Sequence, residues 1–407
     1  MRPFRDTIPF DEALARTLAA AIPIDRTEGV SLAAASGRVL AETITAAADV
    51  PPFDRAAMDG FAVRAEDTVG ATAETPRTLR LVDTIYTGQA PSHAVGFGEC
   101  AEIATGAPLP PGADAVVMVE DTDRADGSAQ RPTVQVMKAV KTGQNVGPRG
   151  ADIRRGDSLL RSGDHLTASR VGACAAVGRA EVEVYAQPVV AIVSTGGEIV
   201  PPGQPLGPAQ IYEINRFTLS AITSLHGGVP RVLPSIADDL ATLRSMLLDL
   251  VTSADIVVFS GGSSVGERDL VLDAVRAAGE VLFHGIAIKP GKPTALGRVR
   301  GKPVLAMPGN PTSCLSNAYL LLVPMLRKMA RLPTHMARAV TLPLAKRIVS
   351  SPGRHQFYTV RVVDGAVVPA FKSSGDITSM SHADGYIEVP AQTEVVEAGE
   401  TVEVKLF

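Results

Sequence analysis

Residues 256–277, IVVFSGGSSVGERDLVLDAVRA, decide how the chain is read. Ile256, Val257, Val258 and Phe259 are apolar without alternation, the pattern of a strand buried on both faces. Residues 260–269 then set three glycines and three serines ahead of a helical stretch over 270–277. Strand, Gly/Ser loop and helix in succession make half of a βαβ unit. The rhythm repeats on both sides. Strands are predicted over 189–193, 229–236, 281–288 and 303–306, and helices over 215–225, 238–252 and 314–328. Alternation at that spacing predicts parallel strands in a doubly wound α/β sheet.

Outside this block the period changes. Short apolar runs between Gly and Pro turns, from FAVRA at Phe61 to TVQVMKAV at Thr133, predict an all-β region. After Leu332 the runs RAVTLPLA, FYTVRVV, AVVPAF, GYIEVP and TVEVKLF predict a small C-terminal β-barrel or sandwich. Helices are expected at 9–21, 30–40 and 166–177, a strand at 181–184, and no regular structure in the Gly/Arg-rich 143–157.

The chain has 407 residues, enough for several domains, and its 45% apolar content excludes long disorder. Cys100, Cys174 and Cys314 are odd in number and far apart, so neither a disulfide framework nor a zinc spacing is present. That fits a reducing cytoplasm. The opening MRPFRDTIPFDEAL mixes charges with no apolar core, so no signal peptide is expected, and no apolar run approaches a membrane span. The net charge of −4 hides a division: residues 281–363 carry 13 bases and no acid. Nucleic acid is not the expected partner, because the basic stretch lacks the interleaved aromatics of a stacking platform.

Ligands of open parallel sheets bind beyond the carboxyl ends of the strands. Three loops there suit anions. Ser194-Thr195-Gly196-Gly197-Glu198 pairs adjacent glycines with a carboxylate, and is either a backbone anion nest or a plain turn. In 260–269, Gly261, Gly262, Ser263, Ser264 and Gly266 precede a helix start that attracts phosphate. Asp269 there is either a helix cap or, with Glu267, a Mg²⁺ ligand beside substrate phosphates. In Pro308-Gly309-Asn310-Pro311-Thr312-Ser313, Asn310 and Pro311 read as N-cap and first helical residue. Between the last two loops, Lys289 and Lys292 sit in the rigid turn IKPGKPT, suited to a pyrophosphate. Asp238 opens a predicted helix at the same edge. In the β-region, Asp59 and Thr105 stand in Gly turns, as does Asp152 in a Gly-rich bend. No histidine has metal-ligand spacing, and His284 reads as packing.

Eight blocks together resemble one family, the molybdopterin molybdenumtransferases (MoeA and the gephyrin E domain). They are PPFDRAAMDGFAVR, EIATGAPLPPGADAVVMVED, GADI, STGGE, IYEINR, DIVVFSGGSSVGERD, IAIKPGKPTALG and PGNPTSCLSNAYL, in family order. The resemblance implies four domains: a linker domain (27–50 and 142–187), a β-rich domain (51–141), the doubly wound domain (7–26 and 188–330) and the barrel (331–407). It implies an elongated homodimer whose active site lies in the dimer cleft. It also implies that the N-terminal helix packs on the doubly wound domain.

The implied reaction inserts molybdate, the co-substrate, into adenylyl-molybdopterin and releases AMP, with Mg²⁺ as cofactor. The preceding adenylyltransferase and molybdoenzyme apoproteins are the implied protein partners. Carried over by motif as catalytic are Asp59, Glu198, Asp238 and Asp269, with Asp238 and Asp269 holding the metal. Thr105, Asp152, Lys289, Lys292, Asn310, Arg354 and Ser379 join residues 261–264 and Gly266 as substrate contacts. The sequence departs from the family where STGGE replaces STGDE, GGSSVG replaces GGVSVG, and Gly285 replaces the lysine of some members. Two alternatives stay open: a molybdopterin adenylyltransferase and a non-catalytic, gephyrin-like scaffold.

Overall fold

The structure, a computed structural model, describes residues 7–125, 132–235, 239–261 and 269–407. Backbone contacts divide it into two units. One comprises the N-terminal residues through Gly29, Gly37–Ala41 and Glu183–Phe407; the other comprises Val30–Ser36 and Glu42–Val182.

The first unit is built on a six-stranded sheet. Its spatial order is Val229–Val232, Val189–Ser194, Ile256–Ser260, Lys302–Met307, Ala295–Val299, Glu280–His284. The first four strands are parallel. The missing alternation in IVVF has a direct cause. Ile256 and Val258 enter a core with Leu219, Ile222 and Leu326, while Val257 and Phe259 enter one with Leu243, Leu247 and Val271. Helices thus cover both faces of the sheet. The N-terminal helix Phe10–Ala20 packs into the first of these cores through Phe10 and Ala13. Lys328 Nζ donates to Leu18 O at 2.7 Å and ties it down further.

Several local expectations change. Ala295–Val299 is an additional strand, antiparallel to both neighbours. Arg300 (φ 49°) and Gly301 (φ 79°) join it to Lys302–Met307 through a two-residue turn with both central residues left-handed, the geometry of a tight hairpin. The expected strand 281–288 breaks at Gly285 (φ 88°) into Glu280–His284 and Ile288–Lys289. The expected helix 30–40 is instead the strand Thr27–Ser31 followed by the single turn Leu32–Ala35. Gly37 at φ 80° stops that turn. The last long helix, Pro311–Asn317 and Val323–Met329, passes through a π segment at Ala318–Leu322. Pro324 lacks the amide that a regular turn needs there.

The C-terminal strands run in the order Ile288–Lys289, His355–Val363, Gly385–Val389, Thr401–Leu406, Ala339–Pro343, with Ala366–Pro369 also on His355–Val363. Leu344 bridges Val367, and Ala345 N donates to Val367 O at 2.8 Å. This closes a small barrel around Leu344, Val360, Val367, Ile387 and Val404. The parallel pairing of Ile288 with His355 stitches the barrel to the turn that carries Lys289.

The second unit holds a six-stranded sheet in the order Ala115–Met118, Gly60–Val63, Glu99–Ile103, Arg77–Ile85, Thr133–Val136, Thr122–Ala125. Its strands match the predicted runs, with Thr122–Ala125 additional.

Candidate functional site

The parallel strands 189–194, 256–260 and 302–307 end side by side, so the loops that follow them share one edge. There a cavity of about 710 Å³ opens between the sheet edge and the barrel. Glu198, Gly261, Lys289, Lys292, Asn310 and Arg354, all singled out from the sequence, line it.

Each is placed by local chemistry. Glu198 folds back over Gly196, whose φ of 137° and missing side chain leave room for the carboxylate. Gly261, at φ 96°, lies against the Thr195 carbonyl; a Cβ there would sit 2.4 Å from that oxygen. Lys289 Nζ donates to Ser351 Oγ at 3.0 Å, in the barrel loop that also carries Arg354. The Lys289–Lys292 turn is held from beneath: Asn317 Nδ2 and Thr294 Oγ1 donate to Gly291 O at 3.0 and 2.9 Å. Asn310 occupies the N-cap position, but its side chain does not cap. Asn310 Nδ2 donates to Ser374 Oγ at 2.9 Å, fastening the loop to the barrel.

Asp269 is a helix cap: Oδ1 accepts from Leu272 N at 3.0 Å. Burial pushes its carboxyl up from the ordinary value. Its other oxygen lies 3.7 Å from His284 Nε2, a neighbour that the packing reading of His284 did not include. Asp269 is not among the cavity-lining residues. Ser379 also lies off the cavity. It is fully buried, and its Oγ accepts from Lys372 N at 3.0 Å. Asp238, Gly262, Ser263, Ser264, Gly266 and Glu267 lie outside the described residues.

Asp59, Thr105 and Asp152 belong to the second unit. Asp59 Oδ1 accepts from Thr105 N at 2.7 Å and from Thr105 Oγ1 at 2.9 Å. The amide first, then the hydroxyl, hold the Asp59 carboxyl below its ordinary value. Thr105→Val keeps the amide and removes the hydroxyl. The Asp59 midpoint should then move part of the way up, as read by carboxyl-carbon NMR titration; an unmoved midpoint would discard the hydroxyl's share. Asp152 is exposed in its bend, with its amide on Val50 O at 3.0 Å.

Among the described residues, no group of three or more His, Cys, Asp and Glu side chains could hold a metal ion. Of the carboxylates expected to hold Mg²⁺, Asp269 is described, while Asp238 and Glu267 lie outside the described residues.

Four lining residues escaped the sequence reading: Phe371, Lys372, Ser373 and Ser374, from FKSSG in the barrel. A lysine beside two serines and a glycine repeats the loop chemistry seen elsewhere, but it sits far along the chain from the sheet-edge motifs. Asn215, within IYEINR, was also missed. Its Nδ2 donates to Ser260 Oγ at 2.7 Å and Gly309 O at 2.8 Å, joining two of the loops.

A doubly wound sheet with a cavity lined by lysines and an arginine at its carboxyl edge, closed on one side by a barrel, defines an α/β protein whose site suits anions. Comparison with known proteins narrows the class. Residues 8–178 match the MoeA N-terminal region (domain I and II), residues 191–328 a probable molybdopterin binding domain, and residues 341–407 the MoeA C-terminal region (domain IV). Molybdopterin molybdenumtransferase 2 of Mycobacterium tuberculosis is 34% identical over 385 residues, spanning 92% of this chain and 94% of its own. The molybdopterin molybdenumtransferase of Haemophilus influenzae is 33% identical, spanning 94% of each. A crystal structure of the molybdopterin biosynthesis MoeA protein from Pyrococcus horikoshii superposes with a TM-score of 0.83 at 39% identity, covering 98% of this chain and 99% of that one. The chain belongs to the molybdopterin molybdenumtransferase family.

Proposed function

We propose that the protein is a molybdopterin molybdenumtransferase, inserting molybdate into adenylyl-molybdopterin with release of AMP and molybdenum cofactor. One observation supports this most: among the described residues, the lining of the cavity at the sheet edge gathers Lys289, Lys292, Arg354 and Lys372 against a single carboxylate, Glu198. Such a cationic lining suits a substrate that carries a pyrophosphate and meets a second anion. In this reading Lys289, Lys292 and the loop after Ser260 hold the pterin–phosphate half. Glu198 and Asp59 shape the approach of molybdate. Asp238 and Asp269 are the proposed holders of Mg²⁺, which when bound would draw charge from the pyrophosphate oxygens. A homodimer in the cytoplasm is part of the same proposal; among the described residues no helix is long and apolar enough to cross a membrane.

The test is direct. Purified protein, adenylyl-molybdopterin, molybdate and Mg²⁺ are mixed and AMP is measured. AMP is expected above a no-enzyme control, and chelation of the metal is expected to suppress it. Silence in that assay, together with ATP consumption on free molybdopterin, would give the reaction to the preceding step instead.

A further inference from the structure

The segment 371–376 is carried by the barrel, yet residues 371–374 of it line the cavity. It is fastened at both ends. On one side Thr312 N donates to Ser374 O at 3.1 Å, Thr312 Oγ1 donates to Asp376 O at 2.8 Å, and Asn310 Nδ2 reaches Ser374 Oγ. Thr312 is fully buried, so its two bonds are shielded from water. On the other side the buried Ser379 hydroxyl accepts from Lys372 N, and Lys372 Nζ donates to Thr378 Oγ1 at 3.1 Å. Ser373 Oγ adds an internal bond to Asp376 Oδ2 at 2.8 Å. These bonds fix the backbone of Lys372 while its side chain lies exposed, its ammonium bonded among the described residues to the neutral Thr378 hydroxyl.

Lys372 is thus a cavity-lining residue with a fixed backbone, and its ammonium is held only by the Thr378 hydroxyl among the described residues, from which it can swing to an anion in the cavity. We infer that Lys372 is a binding residue for the phosphate-type anion of the substrate, and that Ser379 and Thr312 are positioning residues that hold its backbone on the rim. The inference deepens the proposed function and rests on it for the identity of the substrate. It also gives Ser379 a different task from direct contact: the hydroxyl serves the site through the Lys372 amide.

Two measurements on the full chain test this. In the first, inorganic pyrophosphate is titrated calorimetrically. Lys372→Gln should weaken its binding about 5–20-fold, the range for an exposed charge-assisted contact, and Lys372→Arg should restore most of it. In the second, AMP release is measured. Lys372→Gln should raise KM for adenylyl-molybdopterin by a similar factor with kcat nearly unchanged, the mark of lost ground-state binding. Ser379→Ala should raise KM less and should speed hydrogen exchange at the Lys372 amide, a readout that general destabilisation elsewhere would leave in place. Unchanged pyrophosphate affinity and unchanged KM in Lys372→Gln overturn the inference. Pyrophosphate binding that depends on Lys372 in a wild-type protein that releases no AMP upholds the site and overturns the reaction.

Discussion

Gly261→Ala is expected to lower AMP release by about 100-fold, because it moves the loop on which the substrate rests. Gly261 has φ 96°, and its added Cβ would sit 2.4 Å from the Thr195 carbonyl oxygen and 3.2 Å from Thr195 Oγ1. The nearest obstacle is backbone, not the far end of a flexible chain. The strain of a left-handed alanine costs about 1–2 kcal/mol, and the collision adds to it. Relief requires either the end of strand 256–260 or the STGGE loop to shift, and both border the cavity. The rate loss should therefore exceed what the fall in thermal stability explains. Calorimetry and the AMP assay on one preparation check this. A variant that keeps its rate within threefold would show that the loop tolerates displacement, and would remove it from the binding reading.

The second large effect is on stability. Asp255 lies at the amino end of strand 256–260, opposite the cavity. Arg26 meets it with two guanidinium nitrogens at 2.8 Å each, Lys302 Nζ at 3.0 Å, and Val189 N at 2.9 Å. Burial pushes the carboxyl up, but the Arg26 bond, the Val189 amide and Lys302 outweigh it and bring it down to about 2. The Asp255 side chain is 3% exposed, against 51% for Arg26 and 37% for Lys302. Removing Asp255 strands no buried cation, since both partners can rehydrate, but it orphans the Val189 amide. Asp255→Ala should thus cost about 2–3 kcal/mol, below the usual loss for a broken buried pair.

The sign of the pH dependence follows. The folded carboxyl titrates lower than the unfolded one, near 3.8. Its stabilisation is present above pH 4 and is lost as the pH falls toward 2. Denaturation curves for wild type and variant should converge over that window. Curves that stay parallel down to pH 2 would assign the stability to packing instead.

The doubly wound core was legible because its signal is local and dense. Four apolar residues in a row, such as 256–259, fit a strand covered on both faces, and the glycine-serine loop that follows at once, ahead of a helical stretch, makes those covers helices. What was not legible depended on competing local rules. Residues 30–40 carry a helix-like spacing, yet Gly37 and the β-branched Val30 favour a strand and one turn. Ala295–Val299 was hidden because Gly297 interrupts its apolar run, and the Arg300-Gly301 turn is not a common hairpin pair. Asn310 had the right identity for a cap, but a partner 64 positions away competed for its amide. Ser379 shows a related limit: motif matching locates a hydroxyl without telling whether it faces a ligand or, as the hydroxyl does here, the backbone amide of Lys372.

The charge division marks the same boundary. By itself the sequence determined that residues 281–363 hold bases without acids, and that Gly, Ser and Lys loops follow buried strands. Those features depend on neighbours along the chain. Only the tertiary structure decided what each base does. Arg298 pairs with Glu280, Lys302 with Asp255 and Arg331 with Asp25, so part of the excess is spent on acids from elsewhere. Lys289, Lys292 and Arg354 line the cavity, joined by Lys372 from beyond the basic stretch. An exposed polar side chain leaves no periodic trace in sequence, so its partner is set by the long-range packing of sheet against barrel.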